Sequence, residues 1–564
     1  MLYKIKTYMS TTPARKLTRL QVGPLPLIRS IVARLRLREI LLEYIPGSDR
    51  QAFPRADTLI LLAVNLTLTK DPLYELADWV EGLDLRALGY KDRPPGRLSD
   101  DRFARALDQL YETDRTSLLT RLVVSAIQAF GIHSERIHND STSIKACGRI
   151  PGRTRTGLEL RRGHSKDHRP DLKQLVYTLS VSDDGAVPIH HRVYPGNRND
   201  ETTHIETWDS LCHIHGSPNF LYVADCKLCT QEQLSYIVNH GGKAITILPH
   251  NLVEVRRFHD QLRKAPIPKA LLWRRPKPNY PGTTESFYLF EGSYSTEHGA
   301  YPLYWFYSTE KSQRDRQSRL ERIEAAEQKL TELRPKLNRA HLKRQGQILG
   351  AAKEILKHYR VQEFVELRLQ WHRQITRKRP RGRPPGGKIV YIYQQHNSYS
   401  LHWSRKSAVL RAEARTDGVV PLLCTDAAVL PKAVLQAYKF QARLEKRFSQ
   451  FKDVHRAAPL LFKKIVRVEA NMFVFFIALL IQALLERELR RELANRGLPP
   501  LKLYPEDRDA PHPTTSQLFK TFDRLSTYAI SQADMPCETY HDELIETHRQ
   551  VLSLLNITEQ EFWS

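Results

Sequence analysis

The sequence predicts an α/β protein in which helices cover a mixed β-sheet. From residue 136, the segments RIHNDSTSI, KQLVYTLSV and AVPIHHRVYPGN have the pattern of strands, and DDG after the second segment is a hairpin-turn signal. Two helix-like segments, THIETWDSLCHIHG and TQEQLSYIVNHGG, then alternate with the strand-like NFLYVADCKL and KAITILP. Hairpin-linked strands followed by alternating helices and strands are typical of a mixed sheet with helices on its faces.

The regions on either side of this sheet differ in pattern. Residues 24 to 130 have helical periodicity broken by segments rich in Pro and Gly, which indicates a helical domain that either binds DNA or only packs. A further basic helix around Glu445 follows Asp225 by 220 residues, which is too long for a loop and predicts an inserted domain. That insertion contains aromatic strands, charged helices and the basic linker RKRPRGRPPGG.

These patterns divide the chain into five predicted regions. In chain order they are an N-terminal helical domain (1–130), the first part of a sheet-containing core (131–250), an insertion domain of strands, charged helices and a basic linker (251–425), the second part of the core with the Glu445 helix (426–495), and a C-terminal helical tail (496–564).

The composition favours a nucleic-acid partner. Lys and Arg number 87 against 62 Asp and Glu, which gives a net charge of +25, and this excess is spread along the whole chain. Six scattered cysteines and an N-terminus without an apolar signal region predict a reduced, cytoplasmic setting. The longest apolar run, Met472 to Leu485, is shorter than the roughly 20 residues of a membrane span, so we expect a buried helix and no membrane partner.

Three carboxylates have the order and surroundings of a metal site. Asp140 and Asp225 end the first and fourth predicted strands, and Glu445 lies on the amphipathic helix YKFQARLEKRFSQFK. Mg²⁺ and Mn²⁺ prefer carboxylate oxygens, and two such ions about 3.5–4 Å apart can activate an attacking oxygen and stabilise a leaving one. A strand-end Asp alone commonly caps a turn, and a charged helix alone is commonly a solvated face. The three together predict metal-dependent phosphoryl transfer.

Five segments carry a resemblance to a known family. HNDSTSI, GHSKDHRPDLKQ, VYPGNRND, LYVADCKL and the helix from Tyr438 to Lys452 resemble the DDE transposases of bacterial insertion sequences, in the superfamily with the Tyr-x2-Arg-x3-Glu-x6-Lys signature (insertion-sequence-four type). The resemblance covers about 136–250 and 420–480. It implies an RNase H-like fold for the core, with Asp140, Asp225 and Glu445 as the triad that binds two Mg²⁺ or Mn²⁺ ions.

The resemblance also implies contacts with DNA around that triad. Tyr438 and Lys452 would contact transposon-end DNA. Gln441 stands where the signature has Arg, so it can still donate a hydrogen bond to phosphate but brings no charge and no bidentate fork.

Further candidate DNA contacts lie in two basic segments. Lys166, Arg169 and Lys173 could bind phosphates, with a solvated loop as the alternative. Arg381 and Arg383 form the core of an AT-hook, which can enter a narrow minor groove, with a short basic linker as the alternative.

Other signals have a structural alternative that weighs more. For Trp273, Trp305 and Trp403, core packing is the alternative to stacking on a flipped base. A Cys-x2-Cys pair at Cys226 lacks the second pair of a zinc ribbon.

The activity implied by the resemblance is cleavage at terminal inverted repeats followed by strand transfer, by a homodimer assembled on double-stranded DNA. Two alternatives stay open at this point. One is a DNA-binding protein derived from a transposase that has lost cleavage, and the other is a structure-specific nuclease of the same fold.

Overall fold

The computed structural model describes residues 16–47, 53–91, 98–146, 151–163, 171–276, 282–292, 301–339, 341–379, 381, 391–453, 464–504, 506, 508–531 and 538–564. The chain divides into two compact units. The first contains residues 1–246 and 436–564, and the second contains residues 247–435.

Helices occur in both units. In chain order they are α1 (Leu25–Leu35), α2 (Leu37–Tyr44), α3 (Arg55–Leu68), α4 (Leu76–Gly82), α5 (Asp100–Glu112), α6 (Arg115–Phe130), α7 (His204–His215), α8 (Gln231–Asn239), α9 (Val253–Lys264), α10 (Thr309–Leu333), α11 (Gln345–His358), α12 (Ser407–Glu413), α13 (Pro431–Asp453), α14 (Ile465–Asn495), α15 (Thr515–Phe522), α16 (Glu546–Leu554) and α17 (Glu559–Trp563).

Strands likewise occur in both units. They are β1 (Lys16–Gln21), β2 (Arg136–Ala146), β3 (Lys173–Ser182), β4 (Pro188–Pro195), β5 (Leu221–Val223), β6 (Lys243–Ile247), β7 (Lys269–Pro276), β8 (Thr284–Phe290), β9 (Leu303–Ser308), β10 (Val365–Lys378), β11 (Ile392–Arg405), β12 (Val419–Cys424), β13 (Leu501–Lys502), β14 (Asp509–Ala510), β15 (Ser526–Ser531) and β16 (Glu538–His541).

The sheet of the first unit has β2 at its centre. Its strands lie in the order β4, β3, β2, β5, β6. The pairs β2–β3 and β3–β4 are antiparallel, whereas β2–β5 and β5–β6 are parallel. The predicted α/β class with a mixed sheet is therefore confirmed. The predicted division of this unit into an N-terminal domain and a core remains a prediction.

Helix α14 forms the centre of the apolar core in the first unit. It is long and apolar enough to cross a membrane, but 94% of its apolar window is buried inside the protein. Residues Met472 to Leu485 are all buried, and the helix packs on α3, α5 and β4. Helix α3 is also buried on every side, from Ala56 to Thr67. Mainly apolar helices that are covered all round lie deep in a protein core.

The far half of α14 adds buried charges to this core. Arg447 of α13 and Glu486 of α14 form a salt bridge of 2.8 Å, and each side chain is only 4% exposed. Arg447 also donates hydrogen bonds to the carbonyls of Gly185 and Ala186, at 2.9 and 3.0 Å. Burial alone would raise the pKa of Glu486, but the cations Arg447 and Arg490 outweigh it and hold that pKa below its usual value. Every charge in this group therefore has a partner.

The tail of the chain differs from the helical expectation. Residues 496–564 contain helices α15 to α17, but they also contain β15 and β16, which form a three-stranded sheet with β1. The segment STYAIS of β15 pairs in register with KLTRLQ of β1, from Lys16 opposite Ser531 to Gln21 opposite Ser526. Its β-branched and aromatic residues suit a strand, but its partner is about 500 residues away in sequence, so local periodicity could not reveal the pairing.

The second unit contains a run of four antiparallel strands and its own helical core. Strands β12, β9, β8 and β7 are antiparallel neighbours in that order. Trp305 is 2% exposed and stacks on Phe258 at 3.9 Å, so it packs in the core. Trp273 stacks on Phe287 at 5.0 Å, and Trp403 packs at the edge of the helical core. That core joins α10 and α11 to the base of the β10–β11 hairpin.

Replacing Arg447 tests the buried charge pair. Arg447→Met would leave Glu486 charged and buried and two carbonyls without their donor, so we expect the free energy of unfolding to fall by about 3–5 kcal/mol. Arg105→Met is the matched control, because Arg105 and Asp101 form an ion pair with both side chains more than half exposed, and its loss should cost less than about 1 kcal/mol. Urea unfolding measures both, and equal effects would contradict the prediction.

His190 of β4 predicts a pH dependence of stability. It is buried, its Nδ1 has no hydrogen-bond partner among the described residues, and burial, followed by the nearby Arg192, lowers its pKa to about 3. An unfolded chain has a histidine pKa of about 6.5. Between these values the unfolded state binds more protons, so stability is complete above about pH 6.5 and declines as the pH falls toward 3.

The difference between the folded and unfolded pKa values of His190 sets the size of the expected loss of stability. Between pH 7 and pH 5, wild type should lose about 2 kcal/mol more stability than His190→Leu, which has no proton to bind at this position. His213→Leu replaces an exposed histidine of the same unit and should follow wild type. Urea unfolding at both pH values provides the measurement. Parallel losses in wild type and His190→Leu would show that His190 does not contribute.

Candidate active site

Two aspartates on neighbouring strands form the centre of the candidate active site. Asp225 lies just beyond the end of β5, but Asp140 lies in the middle of β2, so the prediction that Asp140 ends its strand is wrong. The polar residues after Asp140 continue the pairing with β3 as far as Ala146 opposite Lys173. Strands β2 and β5 pair in parallel, with His138 opposite Val223. Asp140 lies two residues further along β2, and Asp225 lies two residues beyond the end of β5, so a continued register would set both at the same level and on the same face. Both side chains are half-buried. The parallel pairing therefore predicts that these two carboxylates are close together.

Short-range hydrogen bonds orient both carboxylates. Asp225 Oδ1 accepts the backbone N–H of Lys227 at 3.0 Å and so begins the 3-10 turn Cys226–Leu228. This turn ends β5 at Val223, earlier than the strand pattern NFLYVADCKL predicts, and it is why Asp225 stands at a strand end. Asp140 Oδ1 accepts the N–H of Ser141 at 2.7 Å.

Helix α13 carries the third carboxylate and is attached to β2 through Gln441. Gln441 Nε2 donates to the carbonyl of Asn139 at 2.9 Å. Its Oε1 lies 3.3 Å from Nδ1 of His138, which is the donor because an amide oxygen can only accept. The rings of Phe440 and His138 also pack, with centroids 4.7 Å apart. One turn of α13 is thus fixed to the strand that carries Asp140.

His138 is the residue of this site that the sequence analysis missed. It is completely buried, and burial lowers its pKa to about 4, so it is neutral at neutral pH. Its Nε2 has no hydrogen-bond partner among the described residues. A histidine two positions before Asp140 was the available signal, but its partner on α13 is 303 positions away in sequence.

Tyr438 connects the three carboxylates electrostatically. Burial raises the pKa of its phenol well above the ordinary value. Nearby acidic groups raise it further, in the order Asp225, Cys226, Asp140 and Glu445. Negative charges oppose formation of a phenolate, so these neighbours and the burial of the ring act in the same direction. The phenol therefore stays protonated and can donate a hydrogen bond.

Glu445 lies on the exposed side of α13. Leu444, Arg447 and Phe448 on either side of it are buried. In the part of the chain that the structure describes, no group of three or more His, Cys, Asp or Glu side chains is close enough together to hold a metal ion. The oxygen donors of Asp140, Asp225 and Glu445 fit Mg²⁺ or Mn²⁺ chemically, but they are not gathered into a closed set of ligands.

The other predicted DNA contacts fall into two groups. Lys173 and Arg381 are exposed, as a phosphate contact requires. Lys166, Arg169 and Arg383 lie outside the described residues, and the side chain of Lys452 does too, although its backbone belongs to α13. Both polar atoms of the Gln441 amide, Nε2 and Oε1, form hydrogen bonds within the protein.

A cation next to Asp225 has an acidic partner. Lys227 Nζ lies 3.1 Å from Glu201 Oε1, and this hydrogen bond is the main reason that the pKa of Lys227 is raised. Lys227 therefore stays charged close to Asp225. Glu201 lies just beyond the segment VYPGNRND, and nothing in its local pattern indicates the pairing.

Comparison with known proteins gives little further help. The family model "Domain of unknown function (DUF4277)" matches residues 2–124, which is less than half of the chain. No curated protein matches. Among solved structures, the chain is similar to one described as "Cryo-EM structure of piggyBac transposase synaptic complex with hairpin DNA", with 11% sequence identity and a TM-score of 0.25. The match covers 51% of this chain and 66% of that chain.

Replacing Gln441 tests the attachment of α13. Gln441→Leu would leave the Asn139 carbonyl and the His138 N–H without partners, so we expect unfolding to cost about 2–4 kcal/mol less than in wild type. Gln436→Leu changes an exposed glutamine of the same helix and should stay within about 0.5 kcal/mol of wild type. Urea unfolding compares the two variants. If they are equally stable, the Gln441 bonds do not hold the helix.

Proposed function

We propose that this chain is a metal-dependent DNA transposase of the DDE type, which cleaves DNA at terminal inverted repeats and joins the freed ends to new DNA. The observation that carries the proposal is the parallel pairing of β2 with β5, the strands that carry Asp140 and lead into Asp225, together with the hydrogen bond that holds the Glu445 helix against β2. Two aspartates from adjacent strands and a glutamate from a helix suit two-metal phosphoryl transfer.

The strand order supports an RNase H-like core. The first strand of the sheet is central, an antiparallel pair lies on one side of it, and two parallel strands lie on the other. This order makes the first and fourth of these strands neighbours. The hydrogen bond from Gln441 of α13 to the Asn139 carbonyl of β2 supports a position of the glutamate helix beside the first strand.

Each site residue has a proposed role in the chemistry. Asp140, Asp225 and Glu445 would hold two Mg²⁺ or Mn²⁺ ions, which lower the pKa of an attacking water and neutralise phosphate charge. Tyr438 remains a neutral phenol and would donate a hydrogen bond to a phosphate oxygen of the DNA end. Gln441 is left out of the proposed DNA contacts because its amide already bonds to His138 and Asn139.

The charge of the chain supports DNA as the substrate. A net charge of +25 favours a polyanion. The proposed phosphate contacts are Lys452, Lys166, Arg169, Lys173, Arg381 and Arg383. A homodimer assembled on two DNA ends, in the cytoplasm and without a membrane, completes the proposal.

The carboxylates are tested by cleavage of DNA that carries the terminal repeats flanking the gene. In Mg²⁺ or Mn²⁺ we expect wild type to nick these ends and join them, and EDTA to stop both reactions. Asp140→Ala, Asp225→Ala and Glu445→Ala should each lower the rate by at least about 10³-fold while binding persists. Glu543→Ala removes an exposed carboxylate elsewhere in the first unit and should cleave like wild type.

Different outcomes would exclude different parts of this proposal. Unchanged cleavage by Glu445→Ala would remove Glu445 from the site. Cleavage by wild type without joining would identify a nuclease of the same fold. Binding to the repeats with no cleavage in either metal would identify a DNA-binding derivative of a transposase.

A further inference from the structure

The hairpin of β10 and β11 in the second unit is much longer than the core that supports it. The two strands pair without a break from Val365 opposite Arg405 to Lys378 opposite Ile392. Fourteen residues per strand, at about 3.3 Å each, give an arm of about 45 Å. Only its base packs on α10 and α11, through Val365, Leu401 and their neighbours.

The outer half of the hairpin is exposed on both faces. Every described side chain of residues 371–375 and 392–397 is exposed, as are Arg377, Lys378 and Arg379 beyond them. A two-stranded ribbon has little stability of its own in water, so its base and its cross-strand pairs must support it. An arm with no covering element on either face is available to an external partner.

The charge of the arm is of one sign. Residues 367–412 contain no Asp or Glu, whereas residues 367–405 contain nine Lys and Arg. In a chain with 62 carboxylates, 46 consecutive residues without one form a distinct segment. Such a surface complements a polyanion and repels another copy of a chain whose net charge is +25.

Apolar and cationic side chains alternate on one face of the arm. Trp371, Ile375 and Tyr393 are 54%, 56% and 68% exposed. The register sets them on the same face as Arg373 and Arg377, because Tyr393 lies opposite Arg377 and the other residues are two apart. The apolar groups are thus separated by cations and do not form a continuous patch of the kind that buries against protein.

We propose that the outer half of this hairpin, residues 371–379 with 391–397, is a DNA-binding arm that lies in the major groove of duplex DNA. The B-form major groove is about 12 Å wide and admits a two-stranded ribbon. The cations would contact phosphates along the groove, and the apolar side chains would contact thymine methyl groups. The choice of DNA as the polyanion rests on the proposed function, whereas the exposure and charge of the arm do not.

The arm is tested by DNA binding in EDTA, where no cleavage can occur. The arm variant carries Arg373→Gln, Arg377→Gln, Lys378→Gln and Arg379→Gln together. With a 30-base-pair duplex at rising salt concentrations, we expect its Kd to increase at least about tenfold and the slope of log Kd against log salt to decrease by about 3–4. Fluorescence anisotropy measures both quantities.

A matched variant separates the arm from net charge. Arg314→Gln, Arg316→Gln, Lys353→Gln and Lys357→Gln remove the same charge from exposed positions on α10 and α11 of the same unit. We expect this variant to bind DNA within about twofold of wild type. Equal losses of DNA affinity in the two variants, or no loss in the arm variant, would overturn the proposal. Urea midpoints that match wild type would show that both variants are folded.

An RNA duplex separates groove binding from general phosphate binding. Its A-form major groove is too deep and narrow for a ribbon, so the arm variant should bind the RNA duplex like wild type. An equal loss on RNA and DNA would overturn the major-groove assignment. If the arm variant loses DNA binding but wild type never cleaves in Mg²⁺, only the proposed function is contradicted. If wild type cleaves but the arm variant binds DNA equally well, only the proposal for the arm is contradicted.

Discussion

The buried guanidinium of Arg447 fixes the helix on which the candidate site depends. Arg447 lies two positions after Glu445 and binds Glu486 of the core helix and two carbonyls of the turn between β3 and β4. A buried cation tolerates few orientations, because each lost partner leaves a charge or a carbonyl unsatisfied. With Arg447 directed inward, the 100° turn per residue directs Glu445 outward. The rotation of α13 about its axis is therefore set by a group that takes no part in the chemistry.

A second buried arginine that bonds to carbonyls and a carboxylate lies on α14 and joins the N-terminal helices to the sheet. Arg487 donates to the carbonyls of Phe130 and Gly131 at the end of α6, and it also pairs with Asp184 in the turn before β4. Gly185 in that turn has a φ of +83°, and a Cβ there would lie 2.9 Å from Arg487. The turn signal DDG thus does more than reverse the chain, since its glycine leaves room for the guanidinium.

The sequence predicted those features that depend on local pattern. Strand alternation and the DDG turn predicted the mixed sheet, and the polar residues after an apolar run placed Asp225 at a strand end. The same reasoning was wrong for Asp140, because its polar neighbours continue β2 as far as Ala146. The partners of Gln441, the length of the β10–β11 hairpin and the strands of the tail depend on contacts between distant segments. The length of the hairpin was missed for a further reason: RKRPRGRPPGG has the composition of a linker, whereas β10 extends into it as far as Lys378.

Gln441 illustrates how tertiary surroundings decide the meaning of a departure from a signature. The resemblance leads one to expect Arg at this position, but here the neighbouring His138 is completely buried and its pKa is lowered by that burial. An environment that disfavours an imidazolium also disfavours a guanidinium, because both lose their hydration and no carboxylate bonds to this histidine among the hydrogen bonds described. A neutral amide satisfies His138 and the Asn139 carbonyl at once and needs no counter-charge.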